Sequence, residues 1–360
     1  MSASDLATTV KPFAGFLSRF EPGRPLAVLC HSDGDGLAAG VILSKTLQRI
    51  GHRVVVEITG KGGGAWSPGT AESLSKHEPQ ALIVADLGCR DEQVLPSVPT
   101  LFLDHHRPEG VPDGAALITG YGLEPTPTSG LLAFEAGGLV ADVSDLDWVA
   151  AISLISDLGS KPPFEAFIAD VRTRHAITPI RDATALLNAA RRSSSGDARP
   201  AFDALFKVAG AKEIIAGGLP EAQRLREAKR EVAEAFVEAK KAAPHFAGRV
   251  AMVRIHSPCQ VHPMVVPIWR TRLPKNIVMV ANTGYIPGQV NFTMRTVTDM
   301  NLLDFLREHA PPNAGPNYGH GHDQATGGAL PYAVWNEFIA NLGFGPEALV
   351  KLPNVSGAAG

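Results

Sequence analysis

The sequence contains few cysteines and few aromatic residues, no excess of positive charge and no long apolar run. Its three cysteines, Cys30, Cys89 and Cys259, are odd in number and far apart. They fit neither a disulfide framework nor a zinc-ligand pattern, and we expect the protein in a reduced cytoplasm. The N-terminus has no basic segment followed by an apolar core, so we expect no targeting signal and no membrane contact.

The charge balance and the aromatic content argue against two kinds of nucleic-acid surface. The formal net charge is -3, and only 6% of the residues are aromatic. A protein that coats polyanions is usually basic overall, and a surface built from stacking platforms needs more aromatic rings. A local basic groove is still compatible with this composition.

The length and the hydrophobic pattern predict two domains. The chain has 360 residues, of which 45% are hydrophobic, enough for sizeable cores. Strands alternating with helices predict an α/β fold, with helices on both faces of a parallel sheet. The pattern predicts strands over residues 26–31, 53–58, 80–86 and 100–104, and helices over residues 11–20 and 36–50.

The remainder of the chain predicts helices, a connector and a second unit. Residues 129–216 are rich in Ala and Leu and predict helices that complete a first domain, residues 1–216. The charged run 221–241 predicts a solvated helix within a linker of residues 217–246. Residues 247–350 predict a smaller α/β domain. Its strands are expected at 249–256, 276–281 and 289–295, its helices at 262–272, 302–308 and 332–342, and a glycine-rich loop at 315–328.

Polar side chains follow three of the predicted strands. The stretch His31–Asp35 follows the first strand, Asp86 ends the third, and Asp104–His106 ends the fourth. The carboxyl ends of parallel strands meet at one edge of a sheet, so we expect these groups to lie together. Carboxylates packed closely repel one another unless cations hold them, and oxygen and imidazole ligands suit a hard or borderline divalent metal.

Other interpretations of these residues exist. The stretch from His31 could be a calcium loop of the EF-hand type, but the twelfth position is Ile42 rather than an acid. It could also be a simple polar turn, and Asp86 could cap a helix. Asp157 lies in an apolar helical stretch, where it could be a ligand or a residue at a helix end beside Gly159.

Together these motifs resemble the DHH phosphoesterase superfamily, which includes RecJ-type exonucleases, nano-RNases and family II pyrophosphatases. The signature is Asp104-His105-His106, preceded by the H-x-D-x-D-G stretch at residues 31–36 and by Asp86. In RecJ-type proteins an Asp stands where this chain has His31. Residues 319–328 resemble the G-G-H-x-x-A-x-G motif of the DHH-associated C-terminal domain, and residues 291–296 resemble its substrate-facing strand. The resemblance covers about residues 26–342.

The resemblance implies two divalent metal ions, most often Mn²⁺, with Mg²⁺ or Co²⁺ as alternatives. Asp86 would bridge them. Asp104 and His106 would be the catalytic residues. Asp104 would orient an imidazole, and His106 would face the substrate phosphate. The implied ligands are His31, Asp33 and Asp86 for one ion, and Asp35, Asp86, His105 and Asp157 for the other.

The resemblance also implies substrate-binding residues in the second domain. These are Arg295, Gly321, His322, Gly327 and Gly328. His320 competes with His322 for the role of the motif histidine, and the spacing to Ala325 and Gly327 favours His322.

The implied function is hydrolysis of phosphodiester bonds at single-stranded nucleic acid ends or in short oligonucleotides. A small-nucleotide phosphatase or cyclic-dinucleotide phosphodiesterase is the alternative, and a catalytically inactive scaffold is a third interpretation. The expected partner is single-stranded nucleic acid or a nucleotide, and a homodimer is left open.

Overall fold

A computed structural model describes residues 3–315 and 318–352, and it divides the chain into two compact units. The first unit comprises the residues up to 191 together with 195–229, and the second comprises 192–194 and the residues from 230 onward. The division therefore falls inside a long helix within the expected linker, while the boundaries at 216 and 246 stay predictions. Within the described residues, every helix is too short or too polar to cross a bilayer.

The first unit contains five strands and most of the helices. The strands are β1 Leu26–Cys30, β2 Val54–Ile58, β3 Ala81–Ala85, β4 Thr100–Asp104 and β5 Ala116–Thr119. The helices are α1 Ala3–Val10, α2 Pro12–Leu17, α3 Gly34–Arg49, α4 Thr70–Ser75, α5 Ser129–Gly138, α6 Asp147–Leu158, α7 Glu165–Arg174, α8 Ile177–Arg192, α9 Arg199–Lys207, α10 Ala211–Ala216 and α11 Pro220–Ala239. The last of these continues into the second unit.

The five strands form one parallel sheet in the order β2-β1-β3-β4-β5. Alternate residues of β1 enter different cores: Leu26, Val28 and Cys30 pack on one face, and Ala27 and Leu29 on the other. A parallel sheet buried on both faces gives the continuous apolar strands seen in the sequence. The α/β prediction is confirmed, although the sequence did not reveal the four-residue strand β5.

The second unit is a six-stranded mixed sheet with helices. Its strands are β6 Pro244–Ala247, β7 Val250–Ile255, β8 Ile277–Asn282, β9 Gln289–Arg295, β10 Tyr318–His322 and β11 Ala325–Pro331, and its helices are α12 His262–Arg272, α13 Leu302–Glu308 and α14 Tyr332–Asn341. The order is β10-β11-β9-β8-β7-β6, and β7 with β8 is the parallel pair.

The predicted loop over residues 315–328 is wrong where the structure describes it. Residues 318–322 and 325–328 are instead strand residues of the antiparallel pair β10–β11. The glycines allow close strand pairing: a Cβ on Gly327 would lie 2.5 Å from the Phe292 carbonyl oxygen, and one on Gly321 2.3 Å from the Ala325 oxygen. Glycine in a strand often marks such a close backbone approach, which composition alone does not distinguish from a loop.

Candidate metal centre

The carboxyl edge of the first sheet brings together the polar residues that follow its strands. His31 comes directly after β1, Asp86 after β3, and Asp104 ends β4. Asp157 joins them from the last turn of α6. The parallel strand order therefore explains why residues far apart in sequence meet at one edge.

The turn from β1 into α3 shapes the first part of the cluster. Asp33 is the N-cap of α3, and its Oδ1 accepts a hydrogen bond from Gly36 N at 3.1 Å. A Cβ on Gly36 would lie 2.6 Å from the His31 carbonyl oxygen, so a side chain there would push the helix away from the strand end. The sequence pattern His-x-Asp-x-Asp-Gly thus ends in a glycine for steric reasons.

Asp86 lies between His31 and His105, with His106 slightly farther from its Oδ1, at 4.0 Å. Its Oδ2 is 3.4 Å from His31 Nδ1, and its Oδ1 is 3.4 Å from His105 Nε2. The Ser129 hydroxyl donates to Oδ1 at 3.0 Å. The backbone of Asp86 has φ of 63°, a left-handed conformation that is uncommon for residues other than glycine. The Asp86 carboxylate thus has Oδ2 near His31 and Oδ1 near His105.

His31, Asp33 and Asp86 form one potential metal-binding group. His31 Nδ1 lies 3.0 Å from Asp33 Oδ2. Burial alone would lower the pKa of His31, but the charge of Asp33 and the hydrogen bonds to the two carboxylates raise it to about 10. Burial works against the ionised Asp33, yet the charges of His31 and Arg191 hold its pKa well below the usual value.

Asp35, His105 and Asp157 form a second group. His105 Nε2 lies 3.4 Å from Asp157 Oδ2 and 3.8 Å from Asp35 Oδ2. Burial, followed by the charges of Asp86 and Asp157, raises the pKa of Asp35 well above its usual value. Burial and the charges of Asp33 and Asp86 raise the pKa of Asp157 to about 7. These carboxylates therefore repel one another strongly when no cation lies between them.

The start of α5 holds Asp35 in place. Ser129 N donates to Asp35 Oδ2 at 2.9 Å, and Gly130 N donates to Oδ1 at 2.7 Å. Thr128 caps the same helix through Leu131 N. Because the unpaired N–H groups of a helix start favour an anion, these two hydrogen bonds favour the charged carboxylate and oppose the burial and the acidic neighbours that raise its pKa.

The donor set fits divalent cations. Within the described residues, His105 Nε2 is buried without a well-formed hydrogen bond, although three carboxylate oxygens surround it. Burial would lower the pKa of His105, but these carboxylates, Asp86 foremost, raise it to about 10. A buried imidazole nitrogen without a hydrogen bond, with carboxylate oxygens around it, is what a metal ion would satisfy.

Asp104 fixes the orientation of His106. Asp104 Oδ1 accepts from His106 N at 2.7 Å and contacts its ring Nδ1 at 2.8 Å, while Oδ2 accepts from Gly88 N at 2.7 Å. Burial opposes the charged carboxylate, but the bonds to His106 outweigh it and lower the pKa of Asp104 to about 2. His106 is half exposed, and the contact with Asp104 leaves its Nε2 for another partner.

The expected substrate-binding residues lie in the second unit. Arg295 is the last residue of β9 and is half-buried, and it pairs with Ala325 of β11. Gly321 lies in β10, and Gly327 and Gly328 lie in β11. The side chains of His320 and His322 lie outside the described structure, so the choice between them stays a prediction. The substrate-binding role of this group also stays a prediction.

Three residues near the cluster were not found from the sequence. Ser129 donates to Asp35 and Asp86, as described above. Arg191 Nη2 lies 3.7 Å from Asp33 Oδ2. Asn188 Oδ1 accepts from Gly34 N at 3.0 Å, and its Nδ2 donates to Ser156 Oγ at 3.0 Å. Thr128-Ser129 before an apolar run is a helix-start signal, but only the tertiary structure shows which carboxylate that helix faces.

Comparison with known proteins rests on structure rather than sequence. No family model matches the chain, and no curated protein matches it in sequence. Among solved structures, RecJ from Thermus thermophilus in complex with Mn²⁺ has a TM-score of 0.68 at 18% identity, over 94% of this chain and 54% of that one. The same protein has been solved with Mg²⁺. A DHH domain from the s1p family of ribosomal proteins has a TM-score of 0.65 at 13% identity, over 95% and 92% of the two chains.

The chain therefore shares its fold with RecJ and with this DHH domain. An exopolyphosphatase-related protein from Bacteroides fragilis has a TM-score of 0.51 at 14% identity, over 93% of this chain and 96% of that one. The chain thus spans about half the length of the Thermus RecJ chain and nearly all of the other two. At these identities the likeness establishes a shared fold, and the reaction has to be argued from the residues of the site.

Proposed function

We propose that this protein is a metal-dependent phosphoesterase that hydrolyses phosphodiester bonds at single-stranded nucleic acid ends or in short oligonucleotides. The observation that carries the proposal is Asp86, whose two oxygens lie near His31 and His105, one from each potential metal-binding group. A carboxylate shared in this way is suited to bridging two ions. The DHH fold and the RecJ neighbours solved with Mn²⁺ and Mg²⁺ support the same proposal.

The residues of the cluster match two divalent cations in charge as well as in chemistry. The carboxylates of Asp33, Asp35, Asp86 and Asp157 would carry a charge of about -4, which two such ions neutralise. Manganese is the first candidate, with magnesium and cobalt as alternatives. When bound, a pair of ions supplies an activated water and stabilises the charge that develops on the phosphoryl group. The proposed ligands are His31, Asp33 and Asp86 for one ion, and Asp35, Asp86, His105 and Asp157 for the other.

His106 is the proposed contact to the phosphate. Asp104 holds its Nδ1, so a proton on Nε2 would be directed away from Asp104 and toward a substrate. Burial would lower the pKa of His106, but Asp104 and Asp86 raise it, which favours the charged ring. A fixed cationic donor stabilises the negative charge that grows on a phosphoryl oxygen in the transition state. Arg191, beside Asp33, adds a second positive charge at this edge.

The alternative substrate class is a small nucleotide, either a terminal phosphate ester or a cyclic dinucleotide. An exopolyphosphatase-related protein shares the fold over 93% of this chain, which supports a substrate other than a nucleic acid strand. The scaffold interpretation is disfavoured because all six proposed ligands are present and close together.

A substrate panel tests the proposal. Purified protein with Mn²⁺ would be given DNA and RNA strands of about 2 to 30 nucleotides, 3′-phosphoadenosine 5′-phosphate and cyclic dinucleotides, with products resolved by length. Release of mononucleotides from strands is expected. Activity on the small nucleotides alone, with strands of four or more residues left intact, would favour the alternative. If the protein hydrolyses none of these substrates and binds no metal, the scaffold interpretation would be favoured.

A further inference from the structure

The charge of the chain is distributed unevenly. Residues 239–298 contain eight Lys or Arg residues and no Asp or Glu, whereas the rest of the chain holds 25 basic and 36 acidic residues. Although the net charge of the chain is -3, this segment of 60 residues is basic. This segment covers β6 to β9 and α12 of the second unit.

A cavity lies at one edge of the second sheet, and two basic residues of this segment, Arg249 and Lys275, line it. Because β7 and β8 are parallel and β9 is antiparallel to β8, the first two strands begin where the third ends. Arg249 precedes β7, Lys275 precedes β8, and residues 298–300 follow β9. The cavity has a volume of about 360 Å³ and is lined by Arg249, Lys275, Ile277, Thr298, Asp299 and Met300.

The two cations of this cavity face solvent. Arg249 and Lys275 are exposed, and within the described residues neither takes part in an ion pair. Asp299 is the single acid in the lining. Arg295 of β9 lies opposite Val278 of β8 in the sheet. Burial and the charge of Arg270 lower the pKa of Arg295. This edge thus gathers positive charge with little internal compensation, as expected of a site for an external anion.

We propose that this cavity binds backbone phosphates of a single-stranded nucleic acid. Arg and Lys side chains are the usual donors to such phosphates, and the Thr298 hydroxyl can add a neutral hydrogen bond. The volume lies near the lower end of the range of small-ligand sites, about 300–1,000 Å³. The site belongs to the second unit and is distinct from the carboxylate cluster of the first. It rests on the proposed function, since it assigns that activity a polymeric substrate.

Binding of a strand by charge variants tests the site. The full chain with Mn²⁺ would be titrated into a fluorescent phosphorothioate oligodeoxythymidine of about 20 nucleotides, which resists hydrolysis, at several NaCl concentrations. The R249A/K275A double variant should bind about tenfold more weakly. It should also reduce the slope of log affinity against log salt, by roughly 0.7 for each phosphate that the variant no longer neutralises. D299N should bind more tightly, a gain that misfolding does not mimic.

Lys241→Ala provides the matched control. Lys241 is an exposed lysine of the same basic segment, pairs with Glu238 and does not line the cavity. Its replacement should leave affinity unchanged. Unchanged affinity in R249A/K275A, or an equal loss in K241A, would overturn the proposal. If the wild type releases mononucleotides but R249A/K275A binds the strand as tightly as the wild type, the cavity proposal fails and the proposed function stands. If R249A/K275A binds the strand more weakly but the wild type hydrolyses no substrate, the phosphoesterase proposal fails and the cavity proposal stands.

Discussion

Gly130 donates its backbone N–H to Asp35 Oδ1 at 2.7 Å, and it does so from a position where no side chain fits. A Cβ on Gly130 would lie 2.5 Å from Ser153 Cβ and 3.2 Å from Asp35 Oδ1. The start of α5 can therefore approach α6 and the carboxylate of α3 because this residue is glycine. The contact links helix packing directly to the position of a proposed metal ligand.

Gly130→Ala should destabilise the protein, since α5 must move away from Ser153 to make room. We expect a loss of about 1–3 kcal/mol in unfolding free energy, measured by thermal and urea denaturation. Gly138→Ala in the same helix is the control, because a Cβ there meets nothing within 4 Å. That control should be neutral or more stable by up to about 1 kcal/mol. Equal stability of the two variants would contradict the close approach at Gly130.

Asp86→Ala should remove both metal ions and turnover together. The Asp86 carboxylate lies near both His31 and His105, so its loss weakens both groups at once. Metal content by mass spectrometry and mononucleotide release would be measured on the same sample. Asp113→Ala, which removes an exposed carboxylate before β5, should retain both. An Asp86→Ala protein that keeps two ions or most of its activity would show that the bridging assignment is wrong.

His106→Ala should retain metal and lose rate. The ring is held by Asp104 and is proposed to donate to the phosphate, so we expect kcat to fall about 100- to 1,000-fold. Asp104→Asn should also retain metal but fall less in rate, because the ring remains while its orientation is loosened. Loss of metal in His106→Ala would instead place that histidine among the ligands, together with Asp86 and His105.

Metal binding near neutral pH should release protons. The pKa values of His31 and His105 are raised to about 10 and that of Asp157 to about 7, so the metal-free cluster holds protons that bound cations displace. Affinity for Mn²⁺ should accordingly rise as pH increases from 6 to 8. Calorimetry in buffers of different ionisation enthalpy measures the number released. Binding heats that do not depend on the buffer would contradict this prediction.

The sequence predicted those parts of the site that depend on strand ends. His31, Asp86 and His105 each follow an apolar run, and parallel pairing is enough to place them on one edge. The roles of Ser129 and Arg191 were not predictable in the same way, because they depend on how α5 and α8 pack against that edge. The glycine-rich segment failed for a different reason. Glycine content signals backbone freedom, and at Gly327 the structure uses it for close strand pairing.

The hydrogen bonds from Ser129 and Gly130 to Asp35 would couple the start of α5 to the proposed metal binding. Removing the ions would leave several carboxylates facing one another, and protonation of Asp35 would weaken both bonds. Metal occupancy and local order at the junction of α3, α5 and α6 would therefore be thermodynamically linked. After chelation of the metal, amide hydrogen exchange should become faster at Ser129 and Gly130 before it becomes faster in the strands of the sheet.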